Sequence, residues 1–154
     1  MTLNNILEAQ ALKVLSAVTS KKRLFQELGE LLGNTYDLKP QTVAEALQER
    51  ENLGPTGVGQ GIALPHARLD GLSHVVGGFI RLERPVDFES VDRQPVDLVF
   101  ALLAPEDAGV EHLKALALVS RTMRNGNLCA KLRANTNITT LHTVLTENTS
   151  AQAA

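Results

Sequence analysis

The chain has 154 residues, of which 44% are hydrophobic and 21% charged; this is an ordinary globular composition, and the length suits one domain. Fifteen basic and seventeen acidic side chains give a formal net charge of -2, and only 3% of the residues are aromatic, so a nucleic-acid-binding protein is not expected. The single cysteine, Cys129, excludes an intramolecular disulfide and a cysteine-rich metal site.

The N-terminus does not have the pattern of a secretory signal. Residues 1–10 carry no basic side chain, and no long apolar segment follows them. The longest strongly apolar run, residues 98–104, is too short to cross a bilayer. We therefore expect a cytoplasmic protein that does not insert into the membrane.

Capping and turn residues divide the chain into alternating helices and strands. Ser20 is expected to cap a helix whose apolar residues recur at helical spacing, and Gly33 and Asn34 to end it. Pro40 fits the first turn of a second helix. The expected elements, in chain order, are a strand at 14–18, helices at 21–32 and 40–50, strands at 75–82 and 98–104, a helix at 107–124, a short helix carrying Cys129 and Leu132, and a last helix from 138.

The helix at 107–124 has the clearest pattern, and Asn125 and Gly126 are expected to end it. Asn127 and Asn137 can then cap the last two helices. The residues expected to share the buried side of the 107–124 helix are Val110, Leu113, Leu116, Ala117, Ser120 and Met123.

This order of elements predicts an α/β fold. The run at 98–104 is apolar throughout, which is typical of a central strand buried on both faces. Helices before, between and after the strands predict a sandwich with helices on both faces of the sheet. We find no repeat and no linker, so we expect a single domain over residues 1–154, with its core at about 3–146 and a frayed polar tail at 147–154.

The segment that follows the second predicted helix is unusually rich in glycine. Its glycine amides could point into one concavity that suits an anion such as phosphate. Pro65 then stiffens the chain before His66, so the histidine is expected on a rigid turn just after a short strand. By itself the pattern fits equally well a glycine-rich turn with an incidental histidine. The glycines concerned are Gly54, Gly57, Gly59 and Gly61.

The residues around this histidine resemble a known active-site signature. Glu51, the pair Val58-Gly59, and residues 62–67 (Ile-Ala-Leu-Pro-His-Ala) are similar to the signature of the fructose/mannitol-type enzyme IIA family of the bacterial phosphotransferase system. Residues 95–105 together with residues 111–113 resemble the nitrogen-regulatory branch of that family. The resemblance covers residues 3–146 and implies a mixed, roughly five-stranded sheet between helices.

The resemblance implies that His66 is a phosphohistidine. In the family, the histidine after the proline accepts a phosphoryl group, at Nε2, from a phosphohistidine carrier protein. Neutral imidazole is nucleophilic near pH 7, and its phosphoramidate can pass the group on. The implied donor is an HPr-like protein of the nitrogen branch, itself charged through enzyme I, and no cofactor or metal is implied.

Two further residues carry over from the family motif by position. Arg50 matches its arginine, whose guanidinium can bind two phosphate oxygens; the alternative is a cation that only stabilises a helix C-terminus. His112 matches its second histidine and lies near a helix N-terminus, where the dipole disfavours the charged ring. The alternative for His112 is a packing role.

The glycine segment is the expected phosphate loop. Thr56, with Gly57, Gly59 and Gly61, could donate hydrogen bonds to the phosphoryl group. Many members of the family have serine where this chain has Pro55, and glycine where it has Ala67, so the fine geometry of the loop can differ. His74 and His142 show no metal-ligand spacing and are expected at the surface.

Three functions follow from these observations. The first is a regulatory phosphocarrier whose phosphorylation state changes its binding to targets, which the resemblance suggests are potassium-transport or sensor-kinase systems. The second is a sugar-specific enzyme IIA that passes phosphate to a IIB domain. The third is a docking module without phosphotransfer, against which the intact set of Arg50, His66 and His112 argues.

Overall fold

The computed structural model describes residues 1–153, and side chains as far as Glu147. The expected frayed tail at 147–154 therefore falls almost wholly outside the described side chains. A short 3-10 turn at Leu3–Asn5 precedes the first strand. The main elements are β1 (Leu7–Leu15), α1 (Lys21–Tyr36), α2 (Pro40–Leu53), β2 (Gly57–Gly59), β3 (Ile62–Ala63), β4 (His66–Leu69), β5 (Val76–Val86), β6 (Val96–Pro105), α3 (Val110–Met123), α4 (Gly126–Arg133) and α5 (Ile138–Ala153).

The strands form one mixed sheet in the order β1-β5-β6-β3-β2, with β4 also paired to β6. β6 is central and is antiparallel to β5 but parallel to β3 and β4. Six strands are present where about five are expected, because the strand beside β6 is broken by Pro65. Proline has no amide hydrogen to give to the ladder, so β3 ends before it and β4 begins at His66.

Two hydrophobic layers enclose the sheet, as predicted for an α/β sandwich. Along β6, Val99, Ala101 and Leu103 pack beneath α1 and α2. The alternate residues Leu98, Phe100 and Leu102 pack beneath α3, α4 and α5. Because successive side chains of a strand point to opposite faces, a continuous apolar run serves both layers, and the prediction of a doubly buried central strand is confirmed.

Two predicted caps are confirmed by their hydrogen bonds, and a predicted first-turn proline is confirmed by its position. The Ser20 side chain accepts from the Arg23 amide at 3.1 Å. Pro40 lies in the first turn of α2. Asn137 Oδ1 accepts from the Thr140 amide at 3.0 Å at the start of α5.

Other predicted boundaries are wrong. The first strand, β1, ends at Leu15, near the start of the strand predicted at 14–18. α1 continues through Gly33 to Tyr36. A Cβ at Gly33 would lie 2.9 Å from the Leu38 carbonyl oxygen, so the glycine at this position allows close packing and does not end the helix. Asn125, rather than Asn127, caps α4. β5 extends past the predicted end of its strand to Val86.

The predicted buried side of α3 is only partly right, because Met123 is buried as predicted but the start of the helix is not. Val110 and Leu113 are 63% and 64% exposed, although both are apolar. The helix is rotated relative to the prediction, so its buried side includes His112. The residues that α3 buries are His112, Ala115, Leu118, Val119, Thr122 and Met123.

Candidate functional site

His66 opens β4, so it lies on a strand and not on the turn that its sequence predicts. Ala67 and Leu69 point into the core beneath α1 and α2. Since strand side chains alternate, His66 and Arg68 point to the opposite side, towards α3. The sheet edge thus presents a half-buried histidine and a cation side by side.

The ring of His66 is held by a backbone carbonyl two residues earlier. Its Nδ1 lies 2.9 Å from the carbonyl oxygen of Leu64. A carbonyl oxygen can only accept, so Nδ1 carries the hydrogen and donates it. The lone pair of the neutral ring is therefore on Nε2, which is the nucleophilic atom.

A pocket of about 390 Å³ lies beside this ring at the edge of the sheet. Its walls come from the end of α2, from β4 and from the start of α3. The pocket brings together the three residues carried over from the family motif, and Arg68 with them. Its lining residues are Ala46, Glu49, Arg50, Leu53, His66, Ala67, Arg68 and His112.

Arg50 reaches the pocket from the last turn of α2. Its Nη1 donates to the carbonyl oxygen of Gly54 at 3.0 Å. This bond caps the helix C-terminus, as the alternative interpretation requires, yet the guanidinium also lines the pocket beside His66. Its planar, always charged group has further donors that this bond does not use.

His112 lies against His66 from the first turn of α3. The two ring centroids are 5.8 Å apart and the rings are inclined at 44°. Nδ1 of His112 is enclosed and has no hydrogen-bond partner among the described residues. An enclosed, unpaired nitrogen favours the neutral ring, since a charged ring would need partners for both of its hydrogens.

Burial lowers the pKa of both histidines. For His66 desolvation is the main cause and the positive charge of Arg50 adds to it, while the Leu64 carbonyl and the Glu51 carboxylate act in the opposite direction on its pKa. For His112 desolvation again comes first, followed by the charges of His66 and Arg68, which lower its pKa further. Both rings are therefore neutral near pH 7.

Arg68 is a charged lining residue that the sequence analysis missed. Its Nη1 donates to the Glu106 carbonyl oxygen at 3.1 Å, which holds the side chain over the turn before α3. The sequence carries a signal for it, because a residue two positions from His66 in a strand shares its face. Recognising this signal requires a strand at 66–69, where the sequence predicts a turn.

The glycine segment does not line the pocket. Gly61, with φ +80, forms the turn between β2 and β3 and lies against Arg133 and Asp97. A Cβ at Gly57 would meet Ser90, and one at Gly59 would meet Asp92. These glycines therefore allow other chain segments to approach the hairpin closely.

Thr56 also lies outside the pocket lining, and both its donors are already engaged. It is 5% exposed, and its amide and hydroxyl both donate to the Glu51 carboxylate, at 3.0 and 2.5 Å. The structure thus does not bring Thr56, Gly57, Gly59 or Gly61 to the ring of His66 as a single concavity.

The other candidate side chains lie elsewhere. His74 is exposed, with its ring beside the Ser73 hydroxyl, and His142 Nε2 contacts the Leu7 carbonyl oxygen. Cys129 is buried and donates to the Met123 carbonyl oxygen. Within the described residues, no group of three His, Cys, Asp or Glu side chains could hold a metal ion, and no helix there has the length and apolar character needed to span a membrane.

Comparison with known proteins identifies the family. Residues 5–148 match the family described as phosphoenolpyruvate-dependent sugar phosphotransferase system, EIIA 2. The chain belongs to this EIIA family.

Individual relatives agree with the match. A nitrogen regulatory protein of Bradyrhizobium diazoefficiens is 44% identical over 145 residues, which is 94% of this chain and 95% of that protein. The crystal structure of nitrogen regulatory protein IIA-Ntr from Neisseria meningitidis superposes with a TM-score of 0.85 at 39% identity, covering 94% of this chain and 99% of that one. Mannitol IIA from Escherichia coli, at 21% identity, has the same fold, with a TM-score of 0.75 over 90% of this chain and 97% of that one. This EIIA chain therefore resembles the nitrogen-regulatory proteins over almost its full length.

Proposed function

We propose that this EIIA chain is a phosphohistidine carrier of a nitrogen-branch phosphotransferase system, with His66 Nε2 as the atom that takes the phosphoryl group. One observation carries the proposal: the bond from His66 Nδ1 to the Leu64 carbonyl leaves Nε2 as the free nucleophile beside a pocket that Arg50 and Arg68 line. The donor is an HPr-like protein that receives its phosphoryl group through enzyme I from phosphoenolpyruvate.

The transfer balances as a displacement at phosphorus between two imidazoles. The lone pair on His66 Nε2 forms a new N–P bond as the N–P bond of the donor phosphohistidine breaks. The donor ring leaves with the electron pair of the broken bond, and the positive charge passes to the His66 ring. The Leu64 carbonyl, which accepts from Nδ1, stabilises that charge.

Arg50 and Arg68 supply the charge that this reaction needs. Phosphoryl transfer depends mainly on positioning and on electrostatic stabilisation of the phosphoryl oxygens. Both guanidiniums line the pocket beside His66 and already use one donor each on a backbone carbonyl, which holds them in place. His112 packs against the acceptor ring and keeps the site partly desolvated.

An apolar rim of Leu53, Val110 and Leu113 adjoins the pocket and suits a protein donor. Leu53 lines the pocket and is 84% exposed, while Val110 and Leu113 are exposed on the turn of α3 that carries His112. Exposed apolar side chains around a polar centre are typical of surfaces that bind other proteins. The same rim serves the regulated targets, whose binding changes when phosphorylation adds roughly two negative charges. By family resemblance those targets are potassium-transport or sensor-kinase systems.

Intact-protein mass spectrometry tests the proposal. After incubation with phosphoenolpyruvate, enzyme I and an HPr-type carrier, the wild type should gain one acid-labile phosphoryl group and His66→Ala none. His74→Ala is the control, because its ring is exposed and outside the pocket, and it should gain the group as the wild type does. A phosphoryl group retained on His66→Ala would refute the assignment, and a wild type that gains none from any carrier of its own cell would favour a docking module.

A further inference from the structure

Glu51 is a buried carboxylate at the end of α2, one residue after Arg50. Its side chain is 2% exposed and forms an ion pair with Lys21 Nζ, at 2.8 Å, from the first residue of α1. The two oxygens of the Glu51 carboxylate also accept hydrogen bonds from Thr56, one from its amide and one from its hydroxyl. A buried charge with this many partners is held in one geometry, because releasing it would leave the charge unpaired.

A chain of hydrogen bonds leads from this carboxylate to the ring of His66. The Thr56 carbonyl oxygen accepts from the Leu64 amide at 2.9 Å. The Leu64 carbonyl oxygen in turn accepts from His66 Nδ1 at 2.9 Å. Glu51 therefore fixes Thr56, Thr56 fixes the amide side of Leu64, and Leu64 presents its carbonyl to the imidazole.

Pro65 restricts the backbone of Leu64 on its carbonyl side. The ring of a proline limits the backbone of the residue before it to extended conformations. Leu64 is thus held by Thr56 on one side and by Pro65 on the other, and its side chain is buried at 5% exposure. Its carbonyl has little freedom to turn away from His66.

We infer that Glu51 and Thr56 are positioning residues that hold the Leu64 carbonyl in place and thereby keep His66 in the tautomer whose Nε2 is free. The consequence for phosphoryl uptake rests on the proposed function, whereas the tautomer is a property of the protein alone. Thr56 then acts through Glu51 and Leu64. This role differs from the one expected from the sequence, in which Thr56 donates a hydrogen bond to the phosphoryl group.

Thr56→Val is the direct test, because it removes the hydroxyl with little change in shape. In protein labelled with ¹⁵N-histidine at a pH where the ring is neutral, the wild-type His66 should show the Nδ1–H tautomer. Thr56→Val should gain a population of the Nε2–H tautomer, and its phosphoryl uptake should slow by roughly ten- to hundredfold, the cost of a misplaced reacting atom. Thr56→Ser retains the hydroxyl and should behave as the wild type.

Thr122→Val is the matched control for loss of a buried hydroxyl. Thr122 is fully buried on α3 and its hydroxyl donates to the Leu118 carbonyl at 2.8 Å, away from the chain of bonds to His66. Thr122→Val should therefore leave the tautomer of His66 unchanged. Equal effects of Thr122→Val and Thr56→Val on the tautomer and the rate would overturn the inference, because they would reflect a general loss of stability.

Glu51→Gln provides a second variant if Thr56→Val does not fold. It retains an oxygen acceptor for Thr56 but loses the ion pair with Lys21, so the same tautomer shift is expected, in smaller degree. An unchanged tautomer in the variants that fold would overturn the inference while leaving the proposed function intact. A wild type that takes up no phosphoryl group would refute the proposed function, and the tautomer comparison would still decide the role of Thr56.

Discussion

The chemistry of His66 is set by a few atoms around one ring. The Leu64 carbonyl selects which nitrogen keeps its lone pair, and burial together with Arg50 keeps the ring neutral. A nucleophilic imidazole needs both conditions, because a proton on Nε2 would block attack on phosphorus.

The lowered pKa of His66 predicts an unusual pH dependence. Because the neutral ring is the nucleophile, phosphoryl uptake should persist below pH 6.5, the ordinary pKa of histidine, and fall only as the pH drops through the lower pKa of the folded protein. An NMR titration of the His66 ring protons measures this pKa directly. Its midpoint should rise in Arg50→Ala, and a wild-type midpoint at or above 6.5 would contradict the account.

Substitution of Arg50 distinguishes a catalytic role for this residue from a role in capping α2 only. Arg50→Ala removes both its pocket charge and its bond to the Gly54 carbonyl, so we expect phosphoryl uptake to slow by about a hundredfold. Loss of the capping bond alone costs only about 1 kcal/mol of unfolding free energy. Rapid-quench kinetics with a phosphorylated donor provide the measurement, and Arg121→Ala, a cation of α3 outside the pocket lining, is the control. An unchanged rate would leave Arg50 with the capping role only.

At the scale of the element, the hairpin of β2 and β3 explains the glycines without a phosphate nest. Gln60 and Gly61 form its turn, both with positive φ. The turn is fastened to the rest of the chain, since Arg133 Nη2 donates to the Gln60 carbonyl and Asp92 accepts from the Gln60 amide. The sequence shows that glycine is needed here, but it does not show whether the need is for an unusual φ, a close neighbour or a ligand.

Gly61→Ala tests this explanation. The substitution combines a strained φ with a Cβ that would lie 2.6 Å from Arg133 Nη2 and 2.7 Å from Asp97 Oδ1. Gly71→Ala is the matched control, because Gly71 has φ +90 and nothing lies within 4 Å of its added Cβ. The strained backbone should lower the free energy of unfolding by about 1 kcal/mol in each variant. The crowded Cβ should lower it by a further ~1–3 kcal/mol in Gly61→Ala only. Urea denaturation checks the difference, and equal losses at the two positions would show that Gly61 has no packing role.

The buried side of α3 also shows why this helix is predicted incorrectly from its sequence. Amphipathic analysis places apolar residues inside, yet Val110 and Leu113 face solvent beside the pocket and His112 faces inward. Under the proposed function, apolar side chains that dock a partner and a buried histidine at the site would each reverse the usual pattern, which accounts for the rotation of the predicted buried side. Regions of a chain with a binding function are where pattern analysis is expected to fail.

For the whole molecule, the fold class and the layers follow from the sequence, and the assembly of the site does not. The apolar run of β6 predicts a central strand, and capping residues such as Ser20 and Asn137 predict helix starts, because these signals are local. The pocket depends on the end of α2 and the start of α3, which lie on opposite faces of the sheet, meeting at the β4 edge. That meeting depends on tertiary packing, so the sequence supplies the family residues but not Arg68 or the bond chain from Glu51.

The most direct test of the account is to locate the phosphoryl group on the ring. Protein labelled with ¹⁵N-histidine and phosphorylated by phosphoenolpyruvate, enzyme I and an HPr-type carrier should show ³¹P–¹⁵N coupling to Nε2 of His66, with Nδ1 still bonded to hydrogen. A phosphoryl group on Nδ1 of His66, or on another histidine, would contradict the central claim that the Leu64 carbonyl selects the nucleophilic nitrogen.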